Sequence, residues 1–332
     1  MGAFGLYTHI QANNVRSAIL LAGFPLLLLG IVYALTLGLI GAGYMPSTRT
    51  LGGDMALAGR IMIAGAPLAL GVAGVWFLIA WFGNTAIIDL ATGARKVTRA
   101  QQPELYNLLE NLCISRGVPM PSLRIIDSEA MNAFASGVNE KQYSITVTRG
   151  LMEALDEAEL EAVLAHELTH VVNRDVRTMI IASVFAGVIT LIAQIIFRGV
   201  QFGGVRSGKS SKGAGLFILV ALAVAAVGYV LAIVIRMTLS RAREYVADAG
   251  AVELTRNPDA MIGALRKISA APVKLEAPEA VQAMFLDNAP SGIMDIFATH
   301  PPIEKRIAAL VKYAGGVDGP SPIVAPGKGP WE

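Results

Sequence analysis

Four stretches of this chain run twenty residues or more without a charged side chain: between Arg16 and Arg49, Arg60 and Asp89, Arg177 and Arg198, and Lys212 and Arg236. About 20 apolar residues in a helix span the hydrocarbon core of a bilayer, so each run predicts a membrane helix. Pro25 and Pro67 fall inside the first two, where membrane helices tolerate proline, and Trp76, Trp81 and Phe82 stand near the far end of the second as an interfacial aromatic belt. The polar segments carry other periods. Pro103 starts a helix with Leu105, Leu108, Leu109 and Leu112 on one side, ending near Gly117. Leu123 to Asp127 and Tyr143 to Thr148 read as strands, with Met131 to Gly137 between them, and predict a small antiparallel sheet. Leu160, Val163, Leu164, Leu168, Val171 and Val172 form a helical apolar stripe that begins at the capping pair Asp156 and Glu159. Further helices start at Asn257–Pro258 and at Pro302, the second carrying Ile303, Ile307 and Leu310.

Composition agrees with the long runs: 54% of residues are hydrophobic and 16% charged, against roughly 25% charged in a soluble globular chain. A net charge of +2 and the lack of a dense basic cluster interleaved with aromatics exclude a nucleic-acid partner. The single cysteine, Cys113, rules out an intramolecular disulfide and reads as a small apolar core residue. The segment 199–215 has the Gly/Ser/Lys composition of a linker, and the Gly/Pro-rich stretch from Gly315 reads as a flexible tail.

The chemistry lies on the helix of the apolar stripe. It contains His166, Glu167 and His170, an HExxH pattern. Residues four apart share a helix face, so both imidazoles can ligate one Zn²⁺ while Glu167 stands beside the ion's open position as a general base for a zinc-activated water. If that helix continued unbroken, it would rise about 18 Å from His166 to Thr178 and set the metal close to the membrane surface.

Glu244 and Asp248 follow the fourth run, again four residues apart. Glu244 can supply the third ligand and Asp248 can accept the spare N–H of a ligating histidine. A solvated helix whose acids pair with Arg241 and Arg243 fits the same residues. An even number of crossings separates Glu244 from the HExxH helix, which returns both to one side. His300 stands at the entrance of the last helix, where it can donate to an oxyanion or satisfy a loop carbonyl. The stretch Asn132, Ala133, Phe134, Ala135 and Ser136 can serve as an edge strand that holds an extended peptide, or as a plain structural strand.

HELTHVVNRD, SRAREYVADAGA, MNAFASG and THPPIEKR stand in an order and spacing around hydrophobic runs that resembles the HtpX family of bacterial membrane zinc metalloproteases, with CAAX prenyl proteases as more distant relatives. The resemblance implies an α-helical membrane protein of about four transmembrane helices with an α+β, gluzincin-like protease domain, and one Zn²⁺ per chain on His166, His170 and Glu244. It assigns the general base to Glu167, a supporting aspartate to Asp248, an HPxxxxR pair to His300 and Arg306, and substrate binding to Asn132–Ser136. It implies quality control of misfolded or damaged membrane proteins in the bacterial inner membrane, the protease domain facing the cytoplasm. The segments then read as a membrane pair (1–90), a first protease part (91–177), a second membrane pair (178–235), a second protease part (236–314) and a tail (315–332). A count of Lys and Arg near the membrane ends, nine on the metal side against six opposite, points the same way. The competing reading is a membrane scaffold or adaptor with a structural zinc, which needs a fourth protein ligand.

Overall fold

Pro103 opens a helix in the computed structural model because its missing N–H costs nothing at a first turn, and Gly117 closes it in the left-handed conformation (φ 70°). The structure describes residues 6–41, 45–181, 243–271, 273, 275 and 301–317. The chain divides into two compact units, one of Met1–Asn84 with Arg177–Leu239, the other of Thr85–Val176 with Ser240–Glu332.

In the first unit, α1 covers Leu6–Gly41 and α2 starts at Leu51 and runs to Thr92, 42 residues in all. Both extend beyond the uncharged runs that predict them. The start of α2 is held by Asp54, which accepts from the Thr48 backbone N–H at 2.6 Å and from the Ser47 hydroxyl at 2.9 Å. By length and composition one helix among the described residues, Leu51–Ile79, could cross a membrane; the apolar stretch Leu28–Ile40 is shorter. The third and fourth hydrophobic runs lie outside the described residues apart from 178–181.

The second unit is built on four strands, β1 (Arg95–Lys96), β2 (Ser122–Ile126), β3 (Ala133–Ser136) and β4 (Ser144–Thr148), in the order β1-β2-β4-β3. The sheet is mixed, correcting the antiparallel expectation: β2 and β4 run parallel, while β1–β2 and β3–β4 are antiparallel. The loop after β2 passes the end of β4 before β3 begins, tied there by Gly150 N–H to the Ser128 carbonyl and Thr148 N–H to the Asn132 carbonyl. That detour puts β3 outside β4 and leaves β2 as the other neighbour. The return from β3 to β4 depends on Gly137, at φ 109°, where a Cβ would stand 2.6 Å from the Gln142 carbonyl oxygen.

The second unit also holds α3 (Pro103–Arg116), α4 (Arg149–Ala154), α5 (Glu157–Val172), the first residues of a helix that begins at 175 (α6), a helix over 243–255 (α7), α8 (Pro258–Ala270) and α9 (Ile303–Ala314). Helix α5 carries the core: Leu164 and Leu168 are fully buried, and it packs on α3, α8 and β3. Its start is the expected capping box, with Asp156 accepting from Glu159 N–H at 2.9 Å and Glu159 accepting from Asp156 N–H at 3.0 Å. Cys113 is buried in α3, and burial together with the nearby Glu110 pushes its thiol up to about 11. The apolar cluster Ile88, Ala94, Ile126 and Phe134 joins the last turns of α2 to the sheet, and Arg124 of β2 pairs with Asp89 beside it.

Candidate metal centre

Helix α5 does not run straight on towards the third hydrophobic run. It stops at Val172, turns through Asn173 and Arg174, and the chain resumes a helix at 175, so the unbroken-helix expectation is corrected here. Upstream of the turn, His166 (fully buried) and His170 (9% exposed) share one face. Their Nε2 atoms lie 3.2 Å apart. Glu244 on α7 completes a triangle, with Oε2 at 3.6 Å from His166 Nε2 and Oε1 at 3.6 Å from His170 Nε2.

The other ring nitrogens explain why these three atoms converge. His166 Nδ1 lies 3.0 Å from Asp248 Oδ1, and His170 Nδ1 lies 3.0 Å from Asp175 Oδ2. A carboxylate only accepts, so each imidazole keeps a proton on Nδ1, and Nε2 is the nitrogen left facing the shared point, where a metal would take the place of any second proton. Asp248 is gripped by the fully buried Arg306, whose Nε and Nη2 donate to its two oxygens at 2.9 and 2.6 Å. Arg306 Nη1 also lies 3.5 Å from Glu244 Oε2.

Charges move the titrations accordingly. Burial works against the ionised form of Asp248, but the Arg306 guanidinium and the His166 imidazole hold its carboxyl below the usual range. Burial pulls the His166 imidazole down, while its bonds to Asp248 and Glu244 outweigh this and raise it to about 9. Arg306 is pushed further up by Asp248, Glu244 and Glu167, against the effect of burial.

A tetrahedral zinc with bonds of about 2.0–2.2 Å spaces its ligand atoms about 3.4 Å apart, and the 3.2 Å between the two nitrogens and the 3.6 Å from each to one of the Glu244 oxygens bracket that value. Among the described residues, His166, His170 and Glu244 form the group able to hold a metal ion.

Two helices must approach closely for this. Gly250 of α7 lies against α5, where a Cβ on it would stand 2.5 Å from Thr169 Cγ2, and Ala247 and Ala251 of the same helix are fully buried. Thr169 cannot easily swing away, because its hydroxyl donates to the Ala165 carbonyl at 2.8 Å.

The structure thus brings together His166, His170, Glu244, Asp248 and Arg306. Glu167 is 2% exposed beside them and near the Arg306 charge. Asn132 precedes β3 and exchanges hydrogen bonds with Thr148, its N–H donating to the hydroxyl and its carbonyl accepting from the Thr148 N–H. Ala133, Phe134, Ala135 and Ser136 form β3, the strand at the edge of the sheet and against α5, and all four are buried. His300 lies outside the described residues. Sequence reasoning missed Asp175: it sits in the same HELTHVVNRD stretch, but nothing in helical spacing places it near His170.

A family model for peptidase family M48 matches residues 99–314. The chain is 43% identical over 325 residues to the protease HtpX homolog of Bacteroides fragilis strain YCH46, covering 93% of this chain and 99% of that one. It is 35% identical over 310 residues to the protease HtpX homolog of Ligilactobacillus salivarius strain UCC118, covering 92% and 99%. Among solved structures, S. mikatae Ste24p matches with a TM-score of 0.47 and 18% identity, covering 92% of this chain and 66% of that one.

Proposed function

The chain belongs to peptidase family M48 and is a metalloprotease, and on that premise we propose that it is a zinc-dependent endopeptidase of the bacterial inner membrane. Its protease unit faces the cytoplasm, and its substrates are misfolded or damaged membrane proteins. The observation that carries the proposal is the convergence of His166 Nε2, His170 Nε2 and a Glu244 oxygen on one point, each imidazole locked from behind by a carboxylate.

In this reading His166, His170 and Glu244 hold the zinc. A zinc with three protein ligands keeps a position for water, acidifies that water to a pKa of about 7 and polarises a substrate carbonyl. Glu167 takes the proton as a water oxygen attacks the peptide carbon, then delivers it to the leaving amine nitrogen. Its burial keeps bulk water from competing for that proton. Asp248 and Arg306 keep His166 in the ligating tautomer throughout.

Strand β3 supplies the place for substrate. It lies at the sheet edge and packs against the helix of His166 and Glu167, so an extended peptide that adds to that edge reaches the metal with its backbone in strand conformation. The uncharged runs support a position at a bilayer, where segments slipping out of it would be met.

Replacing Glu167 with Gln keeps the size of the side chain and removes the base. The variant is expected to bind zinc as the parent does while its cleavage of an unfolded polypeptide falls by a factor of about 10²–10⁴. A Glu167→Gln protein that cuts at the parental rate would refute the role given to Glu167.

A further inference from the structure

We propose that Asp175 is a positioning residue of the metal site, brought to His170 by the backbone break that ends α5, and that its carboxylate sets how tightly His170 binds the ion. On an unbroken helix a residue five positions after His170 would be rotated about 140° away from it. The break changes that. Asn173 caps α5 with its N–H on the Thr169 carbonyl, and Arg174 takes φ 58°, the left-handed region that a residue with a side chain rarely adopts. The chain then restarts its helix with Asp175 folded back, its Oδ2 at 3.0 Å from His170 Nδ1 and only 2% exposed.

The backbone of the same residue faces the third ligand's helix. The Asp175 carbonyl accepts from Arg243 Nη1 at 3.5 Å, and Arg243 directly precedes Glu244. Asp175 therefore touches both halves of the ligand set, His170 through its side chain and the start of α7 through its main chain. His166 receives the matching contact from Asp248, which rides on α7 itself. The two histidines are thus aimed by carboxylates from different segments, and the one on His170 depends on the unusual backbone of Arg174. With that carboxylate gone, the His170 ring can rotate or move its proton to Nε2, and both changes oppose ligation.

This inference rests on the zinc reading above, and its test separates the two. Zinc dissociation constants would be measured by competition with a chromophoric chelator on the full-length detergent-solubilised protein, for the parent, Asp175→Ala, Asp175→Asn and His170→Ala. The absorption spectrum of each protein loaded with Co²⁺ and the melting midpoint of each metal-free protein would be recorded alongside. Asp175→Ala is expected to weaken zinc about 10–100-fold and alter the cobalt bands, with the metal-free melting midpoint close to the parent's. Asp175→Asn keeps an acceptor for Nδ1–H without the charge, and its dissociation constant is expected between those of the parent and Asp175→Ala. Should Asp175→Ala not fold, the near-isosteric Asp175→Asn decides: zinc binding several-fold weaker than the parent's supports the proposal. Parental zinc affinity and an unchanged cobalt spectrum in Asp175→Asn would overturn it, as would weakened binding explained entirely by a lowered metal-free melting midpoint. If His170→Ala bound zinc as tightly as the parent, the ligand assignment itself would fail and this proposal with it.

Discussion

The Nδ1 atoms of His166 and His170 are already engaged by carboxylates, and in the proposed metal site that makes Asp248 and Asp175 as consequential as the histidines. Arg306 is the clearest case. It is fully buried and donates two hydrogen bonds to Asp248, so Arg306→Met would leave a buried acid with His166 as its main support. The expected cost is about 3–5 kcal/mol in the stability of the metal-free protein, read as a shift in denaturation midpoint. Asp248→Asn is a different perturbation: it preserves shape, removes the charge beside His166, and is expected to weaken zinc about 10–100-fold in a metal competition assay. The cluster of His166, His170 and Glu244 was legible in the sequence, because HExxH and ExxxD each place two groups on one helical face. Asp175 was not legible, since its contact requires a left-handed Arg174, and an arginine gives no sign of that conformation.

Between elements, the site depends on how near α7 comes to α5. Gly250 is the position that sets the limit. A Gly250→Ala protein must push Thr169 aside or separate the helices, and is expected to lose about 1–3 kcal/mol of stability, with weaker zinc binding as Glu244 moves off the two histidines. Parental values for both in that variant would show that the approach is looser than the geometry requires. The start of α5 was readable from Asp156 and Glu159, a local signature the structure reproduces. Three strands of the sheet were readable, but not β1 at Arg95–Lys96 and not the pairing. Periodicity reports which residues alternate; it does not report that the 127–132 loop crosses the end of β4, and that crossing makes β2 and β4 parallel neighbours.

At the scale of the molecule, the proposed bilayer location rests on the composition and the uncharged runs, and Leu51–Ile79 of α2 is long and apolar enough to cross a membrane. The proposed orientation puts Pro46, before α2, and Ala100, after it, on opposite sides of the membrane; both are exposed. The one native cysteine, Cys113, is buried with its thiol pushed up to about 11, so it gives little background to a thiol label. In sealed inside-out vesicles, a membrane-impermeant maleimide is expected to label Ala100→Cys readily and Pro46→Cys only after detergent. The reverse pattern would turn the protease unit to the other face. Four membrane helices were proposed from the uncharged runs, and charge spacing alone does not say how they pack.

The most direct test of the whole account is metal-dependent cleavage, measured on the purified full-length protein together with its zinc content. The account predicts one zinc per chain, loss of both zinc and cleavage of an unfolded polypeptide after treatment with a chelator, and return of both when zinc is added back. Cleavage that persists in protein shown to be free of metal would contradict it.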